Sequence, residues 1–254
     1  MAAKPVHKNL EGTAESASLI PRENMDSKGL SERIKVAQAR LYRKLVGLDL
    51  RSSGISEYQQ RYLGSKLVNL KAYLQLYGNL LHLALCENPL PLEQIALVDY
   101  GGGSGLITFL ALEMGVGTVI YNDIYDICCR DVGILSSVLE LPITHIVCGD
   151  VDELVLYLER SRITVNAIVS HDVLEHIYDV KHHFEALSSL QGDFRIVYAS
   201  SANSRNPLIV RRLRKKQMEA EYVTRSKEWG HKERDTLEAY FSARKKSSQL
   251  TPLI

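Results

Sequence analysis

One turn of the chain reads Val98-Asp99-Tyr100-Gly101-Gly102-Gly103-Ser104-Gly105. It follows an apolar run, Ile95–Tyr100, and precedes a helical pattern that extends from Ser104 to Met114. Alternate glycines let a chain turn tightly and let a ligand approach its backbone, and the first turn of a helix offers unpaired N–H groups. A strand, a glycine-rich turn and a helix in this order are typical of a nucleotide-binding unit.

Strand and helix patterns alternate on the C-terminal side of this turn as well. Four further strands are predicted, each preceded by a helix: Val119–Tyr121, His145–Cys148, Val165–Ser170 and Phe194–Ser200. The alternation predicts an α/β fold, with a Rossmann-like, doubly wound and mostly parallel sheet that carries helices on both faces. Right-handed crossovers favour the strand order 3-2-1-4-5, which places a ligand beyond the carboxyl ends of the strands.

Helical patterns flank the predicted sheet on both sides. A first helix is expected over Ser31–Gly47 with Ser31 as its N-cap, and a second, continuous helix over Ser56–Cys86. After the fifth strand, Asn206–Tyr222 and Lys227–Lys246 read as charged helices, and no further strand pattern follows. The fifth strand is therefore expected to end the sheet with one unpaired edge, or to mark a truncated domain.

The chain thus divides into four predicted segments. They are a loosely packed or disordered arm (1–28), a helical cap (29–92), the Rossmann-like domain (93–202) and a basic helical segment (203–254). Of the 254 residues, 45% are apolar and 24% charged, which is ordinary for a globular protein. No secretory signal is found in the first thirty residues and no apolar run is long enough to span a membrane, so a cytoplasmic protein is expected.

The net charge of +1 conceals an uneven distribution of charge. From residue 201 onward the chain carries 13 Lys and Arg against 6 Asp and Glu. The densest basic cluster, Arg211–Lys216, can attract an anionic substrate, RNA or a phosphate. The alternative is a solvated helix face balanced by Glu219 and Glu221, and the absence of interleaved aromatic residues favours that alternative.

The spacing of the glycines narrows the choice of ligand. The dinucleotide pattern G-x-G-x-x-G fails because Leu106 stands where its last glycine belongs, and no Gly-Lys-Ser/Thr of a phosphate-binding loop follows. The pattern that fits is D-x-G-x-G-x-G. An acid ahead of the turn, Asp99, suits a cationic ligand better than a pyrophosphate, and the sulfonium and amino groups of S-adenosylmethionine provide such cations. The alternative is a glycine-rich turn that holds no ligand.

Two further acids end the next strands. Asp123 follows the second strand roughly 20 residues after the glycines, where a carboxylate can accept hydrogen bonds from ribose hydroxyls. Asp150 follows the third strand and can accept from an adenine amino group, while Val151 can pack on the ring. The alternative for each acid is a helix N-cap, for the segments that begin at Tyr125 and Val151.

The fourth strand leads into Ser170-His171-Asp172-Val173-Leu174-Glu175-His176-Ile177. With this segment and the glycine-rich turn, residues 94–200 resemble the class I S-adenosylmethionine-dependent methyltransferases, in the branch with a Leu-Glu-His segment after the fourth strand. That family normally has two more strands after the fifth, which are not found here. The resemblance implies site residues as follows: Asp99, Gly101, Gly103 and Gly105 at the methionine end, Asp123 at the ribose, Asp150 and Val151 at the adenine, Ser170 to Asp172 near the methyl sulfonium and the acceptor, and Tyr58 and Tyr62 on a lid helix.

Methyl transfer is an in-line displacement that depends mainly on positioning, and it needs a base only when the nucleophile carries a proton. We place His176, His171 and Asp172 in the catalytic group, since a histidine titrates near neutrality. The alternative for His176 is a helix-start residue that stabilises the turn. His182 and His183 are adjacent and project in different directions, so no metal site is expected.

The segment after the fourth strand also bears on the acceptor. It lacks the Asn/Asp-Pro-Pro-Tyr/Phe of amino-group methylases and the Pro-Cys of base C5 methylases. A small-molecule acceptor with an oxygen, nitrogen or carbon nucleophile is therefore expected. Two alternatives stay open, namely a methyltransferase-like binding or partner subunit without activity, and an RNA or protein methyltransferase that uses the basic C-terminus.

Overall fold

A computed structural model describes residues 27–201 and 205–218. In these ranges the chain forms eight α-helices and five β-strands. The strands are β1 (Ala96–Tyr100), β2 (Thr118–Asp123), β3 (His145–Cys148), β4 (Ala167–His171) and β5 (Arg195–Ala199). The helices are α1 (Ser27–Val46), α2 (Glu57–Leu67), α3 (Leu70–Leu85), α4 (Leu106–Met114), α5 (Asp126–Val138), α6 (Val151–Ser161), α7 (Val180–Ser188) and α8 (Pro207–Met218).

The five strands form one parallel sheet in the order β3-β2-β1-β4-β5, which confirms the predicted α/β class and strand order. Val98 in the centre of β1 pairs with Ile120 of β2 on one side and with Ile168 of β4 on the other. The strand order reverses between β1 and β4, and ligands of open parallel sheets bind beyond the carboxyl ends of strands at such a point. The glycine-rich turn leaves β1 at this place.

Helices cover both faces of the sheet, as predicted. Leu97 of β1 belongs to a buried cluster that includes side chains of α1, α3, α4 and α5. Its neighbours Val98 and Tyr100 belong to a second cluster with α6 and α7 on the opposite face. Strand side chains alternate between faces, so a continuous apolar strand such as β1 is suited to a sheet buried on both sides. The architecture is consistent with a Rossmann-like arrangement.

The helical cap differs from the prediction in one important respect. The predicted continuous helix Ser56–Cys86 is wrong, because the chain forms two helices, α2 and α3, that are separated at Val68 and Asn69. Asn69 has φ −122° and ψ 35°, outside the helical region. Asn and β-branched Val both have low helix propensity, so the break falls where continuing the helix is least favourable.

The first helix also begins earlier than expected. α1 starts at Ser27, so Ser31 lies inside the helix and is not its N-cap. The Ser31 hydroxyl instead donates to the carbonyl of Ser27 at 2.8 Å, which is the local bond that a mid-helix serine commonly makes. The rest of the predicted arm lies outside the described residues.

The cap helices pack tightly on the sheet domain. Leu41 of α1 and Leu81 of α3 are completely buried in the same cluster as the sheet. α1 and α3 approach closely at Gly78, where a Cβ atom would lie 2.7 Å from the Cγ2 of Ile34. The cap and the sheet therefore share one continuous core.

Beyond β5 the structure describes only α8, which lies within the first predicted charged helix, Asn206–Tyr222. The remainder of that helix and the second one, Lys227–Lys246, lie outside the described residues. In the described part of the chain no strand pairs with the outer edge of β5. None of the helices found there has the length and apolarity that crossing a membrane requires.

Two glycines test how closely the sheet and its connections are packed. A Cβ atom on Gly117 would lie 1.9 Å from the carbonyl oxygen of Glu93, whereas one on Gly133 would meet the Cδ1 of Ile146 at an ordinary 3.6 Å. We expect Gly117→Ala to lower the free energy of unfolding by about 1–3 kcal/mol through overpacking. Gly133→Ala, within α5, should raise it by about 0.5–1 kcal/mol. Urea unfolding followed by circular dichroism measures both, and equal effects would contradict this packing.

Candidate functional site

The glycine-rich turn adopts a backbone that only glycine accepts without strain. Gly101, Gly103 and Gly105 have φ angles of +67°, +54° and +75°. A Cβ atom on Gly103 would also lie 2.9 Å from the Tyr62 ring, and one on Gly101 would lie 2.4 Å from the Cγ2 of Val173. The alternating glycines are therefore required both by the turn and by its close neighbours.

Asp99 at the carboxyl end of β1 is 1% exposed. Its Oδ2 accepts hydrogen bonds from the backbone N and the hydroxyl of Thr108, at 3.0 and 2.7 Å. Its Oδ1 has no hydrogen-bond partner among the described residues. Burial raises the pKa of Asp99 to about 6, although the Thr108 bonds act in the opposite direction. The side chain is thus a buried carboxylate with one oxygen available at the start of the turn.

Asp123 at the end of β2 connects the turn that follows β1 to the turn that follows β2. Its Oδ2 accepts from the backbone N of Gly103 at 2.8 Å, and its Oδ1 accepts from the backbone N of Tyr125 at 2.9 Å. The alternative that Asp123 is the N-cap of the next helix is wrong, because Tyr125 is the N-cap of α5 and the helix has no side-chain cap. Burial raises the pKa of Asp123. The contact with ribose stays a prediction.

Asp150 is the N-cap of α6. Its Oδ1 accepts from the backbone N of Asp152 at 2.9 Å, and the Glu153 side chain accepts in turn from the backbone N of Asp150 at 3.2 Å. This reciprocal capping box is the local role that the sequence allowed. Val151 is buried in the cluster on the α6 and α7 face. Both residues lie at the end of β3, and their contact with adenine stays a prediction.

The end of β4 brings Ser170, His171 and Asp172 to the same edge. Ser170 is buried, and its hydroxyl lacks a partner among the described residues. His171 packs edge-on against Tyr77, with ring centroids 5.3 Å apart, and burial lowers its pKa. The Nδ1 of His171 lies 3.4 Å from the Oδ2 of Asp172.

Asp172 also connects β4 to the chain after β5. It has a φ angle of +57°, which is unusual for a residue with a side chain. Its backbone N donates to the carbonyl of Ala199 at 2.8 Å, and its Oδ1 accepts from the backbone N of Ser201 at 2.6 Å. The first bond holds the backbone of Asp172 at the end of the sheet, and the second holds its carboxylate there.

His176 is placed differently from His171. It lies in the short 3-10 turn Leu174–His176, where its backbone N donates to the carbonyl of Val173 at 2.8 Å. Its side chain is exposed and makes no hydrogen bond or ion pair with the described residues. The backbone of His176 therefore stabilises the turn, which is the alternative given for it above. His171 and Asp172 lie together, and His176 makes no hydrogen bond or ion pair with them.

Helix α2 covers the turn with Tyr62, which the resemblance implied, and contributes two residues that the sequence analysis missed, Gln59 and Lys66. Gln59 is completely buried, and its Nε2 donates to the carbonyl of Gly103 at 3.2 Å. Tyr62 lies over Gly103 and stacks with Tyr58 at 6.0 Å between ring centroids. Lys66 lies one turn further along the same helix. Gln59, Tyr62 and Lys66 are spaced i, i+3 and i+7, so they share one helix face, and that spacing is the signal that identifies them.

Four buried polar atoms around the turn lack partners within the described part of the chain. They are Gln59 Oε1, Asp99 Oδ1, Ser104 Oγ and Ser170 Oγ. A buried polar group without a hydrogen bond costs about 1–3 kcal/mol, so a cluster of them requires an explanation. A polar ligand that replaces the missing bonds is one such explanation. The described residues contain no group of three His, Cys, Asp or Glu side chains that could hold a metal ion.

The raised pKa of Asp99 predicts how the free energy of unfolding depends on pH. An unfolded aspartate ionises near pH 4, whereas the pKa of Asp99 in the folded protein is about 6. The folded state therefore binds the proton more tightly, and this contribution to stability is lost as the pH rises through that interval. Relative to Asp99→Asn, the wild-type free energy of unfolding should fall by about 3 kcal/mol between pH 4 and pH 6 and then level off. Urea unfolding at a series of pH values measures the difference.

The control for this experiment is Asp193→Asn, which changes an exposed carboxylate. Its difference from the wild type should vary little over the same pH range. A pH-independent difference between Asp99→Asn and the wild type would show that Asp99 ionises normally, and the buried-carboxylate account would then be wrong.

Comparison with known proteins leaves the site to be interpreted from its own geometry. No protein-family model matches the chain, and no curated protein matches its sequence.

Proposed function

We propose that the chain binds S-adenosylmethionine at the glycine-rich turn of a Rossmann-like domain and transfers its methyl group to a small-molecule acceptor. The observation that carries this proposal is the Oδ1 of Asp99, a buried carboxylate oxygen that has no hydrogen-bond partner in residues 27–201 and 205–218 and lies directly before three glycines in left-handed conformations. A cationic ligand that contacts the turn would satisfy this oxygen. The resemblance to class I methyltransferases over residues 94–200 supports the same ligand.

The charges of the site favour this donor over a dinucleotide. Asp99 and Asp123 are both buried beside the turn, and burial raises the pKa of each. A pyrophosphate placed here would face two carboxylates in a poorly hydrated environment, where like charges repel strongly. The sulfonium and ammonium groups of S-adenosylmethionine carry the opposite charge and would stabilise both ionised side chains.

The remaining contacts with the donor follow from unused hydrogen-bonding capacity. The Oδ2 of Asp123 accepts from the backbone N of Gly103 and from the hydroxyl of Tyr121, whereas its Oδ1 accepts only from the backbone N of Tyr125 and has room for a second hydrogen bond. A ribose hydroxyl would supply that bond. Asp150 and Val151, at the end of the neighbouring strand, would lie beside the adenine. Gly103 would allow close approach, because a side chain at this position would occupy the same space.

The chain's own residues would mainly position the reactants and exclude water. S-adenosylmethionine, when bound, supplies a methyl group on a good leaving group. Tyr62 and Gln59 cover the turn and would shield it from solvent. His171 is the better candidate for a base than His176, because it lies at the end of β4 beside Asp172, whereas the His176 side chain is exposed and contacts no charged group among the described residues. Asp172, 3.4 Å from its Nδ1, would stabilise the charged imidazole after the proton has moved.

The first test is donor binding by the purified chain. We expect calorimetric titration to show micromolar binding of S-adenosylmethionine and of S-adenosylhomocysteine. Gly103→Val should abolish it, because the branched side chain occupies the ligand's approach and strains the turn. Gly133→Ala, whose new methyl group makes only an ordinary contact, should bind as the wild type does. Circular dichroism verifies that each variant is folded, and binding by a folded Gly103→Val protein would remove the turn from the site.

A second test separates catalysis from binding alone. One alternative is a binding subunit without activity, which is favoured because no strand lies beyond β5 in the described residues. The other is an RNA or protein methylase, which is favoured by four exposed basic residues of α8, namely Arg211, Arg212, Arg214 and Lys215. With labelled donor and a cell extract, we expect the label to enter the low-mass fraction. Label in RNA or protein would favour the methylase, and no transfer by a chain that binds the donor would favour the subunit.

A further inference from the structure

The ammonium group of Lys66 is enclosed by tyrosines beneath the cap. Its Nζ donates to the hydroxyl of Tyr77 at 2.9 Å and lies 4.7 Å from the ring centroid of Tyr62. The centroids of Tyr73 and Tyr77 are each 5.5 Å away. An ammonium group has three hydrogens to donate. In the described ranges it makes this one hydrogen bond and no ion pair, so two donors are unused.

Lys66 lies close to the glycine-rich turn. The Tyr62 ring lies beside its ammonium group, and the Cε1 of the same ring lies 2.9 Å from the position of a Cβ atom on Gly103. Burial lowers the pKa of Lys66 to about 8, whereas the carboxylates of Asp99 and Asp172 raise it. The side chain is therefore mostly charged at neutral pH. A half-buried cation that makes no ion pair with the described residues is costly, and it marks a place where an anion would be stabilised.

The proposed donor carries an anion at the corresponding end. The methionine part of S-adenosylmethionine has a carboxylate in addition to its ammonium and sulfonium groups. Asp99 and Asp172 can balance the two cations, but they would repel that carboxylate. Lys66 has the charge and the unused donors that the carboxylate needs, and an ammonium–carboxylate bond is among the stronger hydrogen bonds in proteins.

We propose that Lys66 recognises the carboxylate at the methionine end of the donor and makes the site selective for ligands that carry it. This inference rests on the proposed function, since it assigns one more residue to the same ligand. Because α2 carries both Gln59 and Lys66, a bound carboxylate would also hold this helix over the turn. Lys66 would thus act in recognition of the donor and not in the methyl transfer itself.

The experiment compares two ligands that differ by one group. S-adenosylhomocysteine carries the carboxylate, and decarboxylated S-adenosylhomocysteine retains the amine but lacks it. Lys66→Met should raise the Kd of S-adenosylhomocysteine about 10- to 100-fold, as expected when a hydrogen-bonded charge is lost, and should leave the Kd of the decarboxylated ligand nearly unchanged. Lys71→Met is the matched control on α3, because Lys71 is exposed and lies over Tyr42, and it should change neither Kd.

Each failure has a distinct meaning. Equal affinities of the two ligands for the wild type would overturn the role of Lys66 and leave donor binding intact, and this comparison does not depend on any variant folding. An equal loss of both ligands in folded Lys66→Met would also overturn it. If the wild type binds neither ligand, the proposed function fails, and the inference fails with it.

Discussion

The arrangement of the site depends on the hydrogen bonds that hold the backbone N–H and carbonyl of one residue, Gly103. Its N–H donates to the carboxylate of Asp123, and its carbonyl accepts from Gln59 and from the hydroxyl of Tyr121. The first bond fixes the turn after β1 to the end of β2, and the second fixes helix α2 over that turn. Asp123 also accepts from Tyr125, so one buried carboxylate organises two strand ends. The position of α2 over the turn follows from these bonds together with those of Ser56, whose backbone N and hydroxyl donate to the buried carboxylate of Asp131 in α5.

Burying two carboxylates in this place opposes stability. With its pKa raised to about 6, ionised Asp99 costs about 3 kcal/mol at neutral pH relative to an aspartate in water. The unpartnered hydroxyls of Ser104 and Ser170 add to that cost. A fold selected only for stability would replace such groups with apolar ones. Their concentration at the point where the strand order reverses is better explained by a ligand that offsets the cost when it binds.

The sequence predicted the sheet well, because its signals are local and strong. Apolar runs and the turn after β1 define the strand ends, and the crossover rule then orders the strands, so Asp99 and Asp123 were placed correctly. The cap was predicted less well. Helical periodicity does not show where a weak position such as Asn69 breaks a helix, and it cannot show which polar residue on a helix face is buried. Lys66 was missed for that reason, since two of the three tyrosines around its ammonium group, Tyr73 and Tyr77, belong to α3.

The break between α2 and α3 has a functional consequence under the proposed function. α3 has eight buried residues, whereas α2 has two, Gln59 and Leu63, and segments with few buried contacts open most easily. Under that proposal a bound donor would displace Tyr62, which covers Gly103. The break at Asn69 would allow α2 to shift while α3 stays packed on β4 and β5. The bonds that return α2 to its place would then include those made to the donor itself, so closing the site and recognising the ligand become the same event.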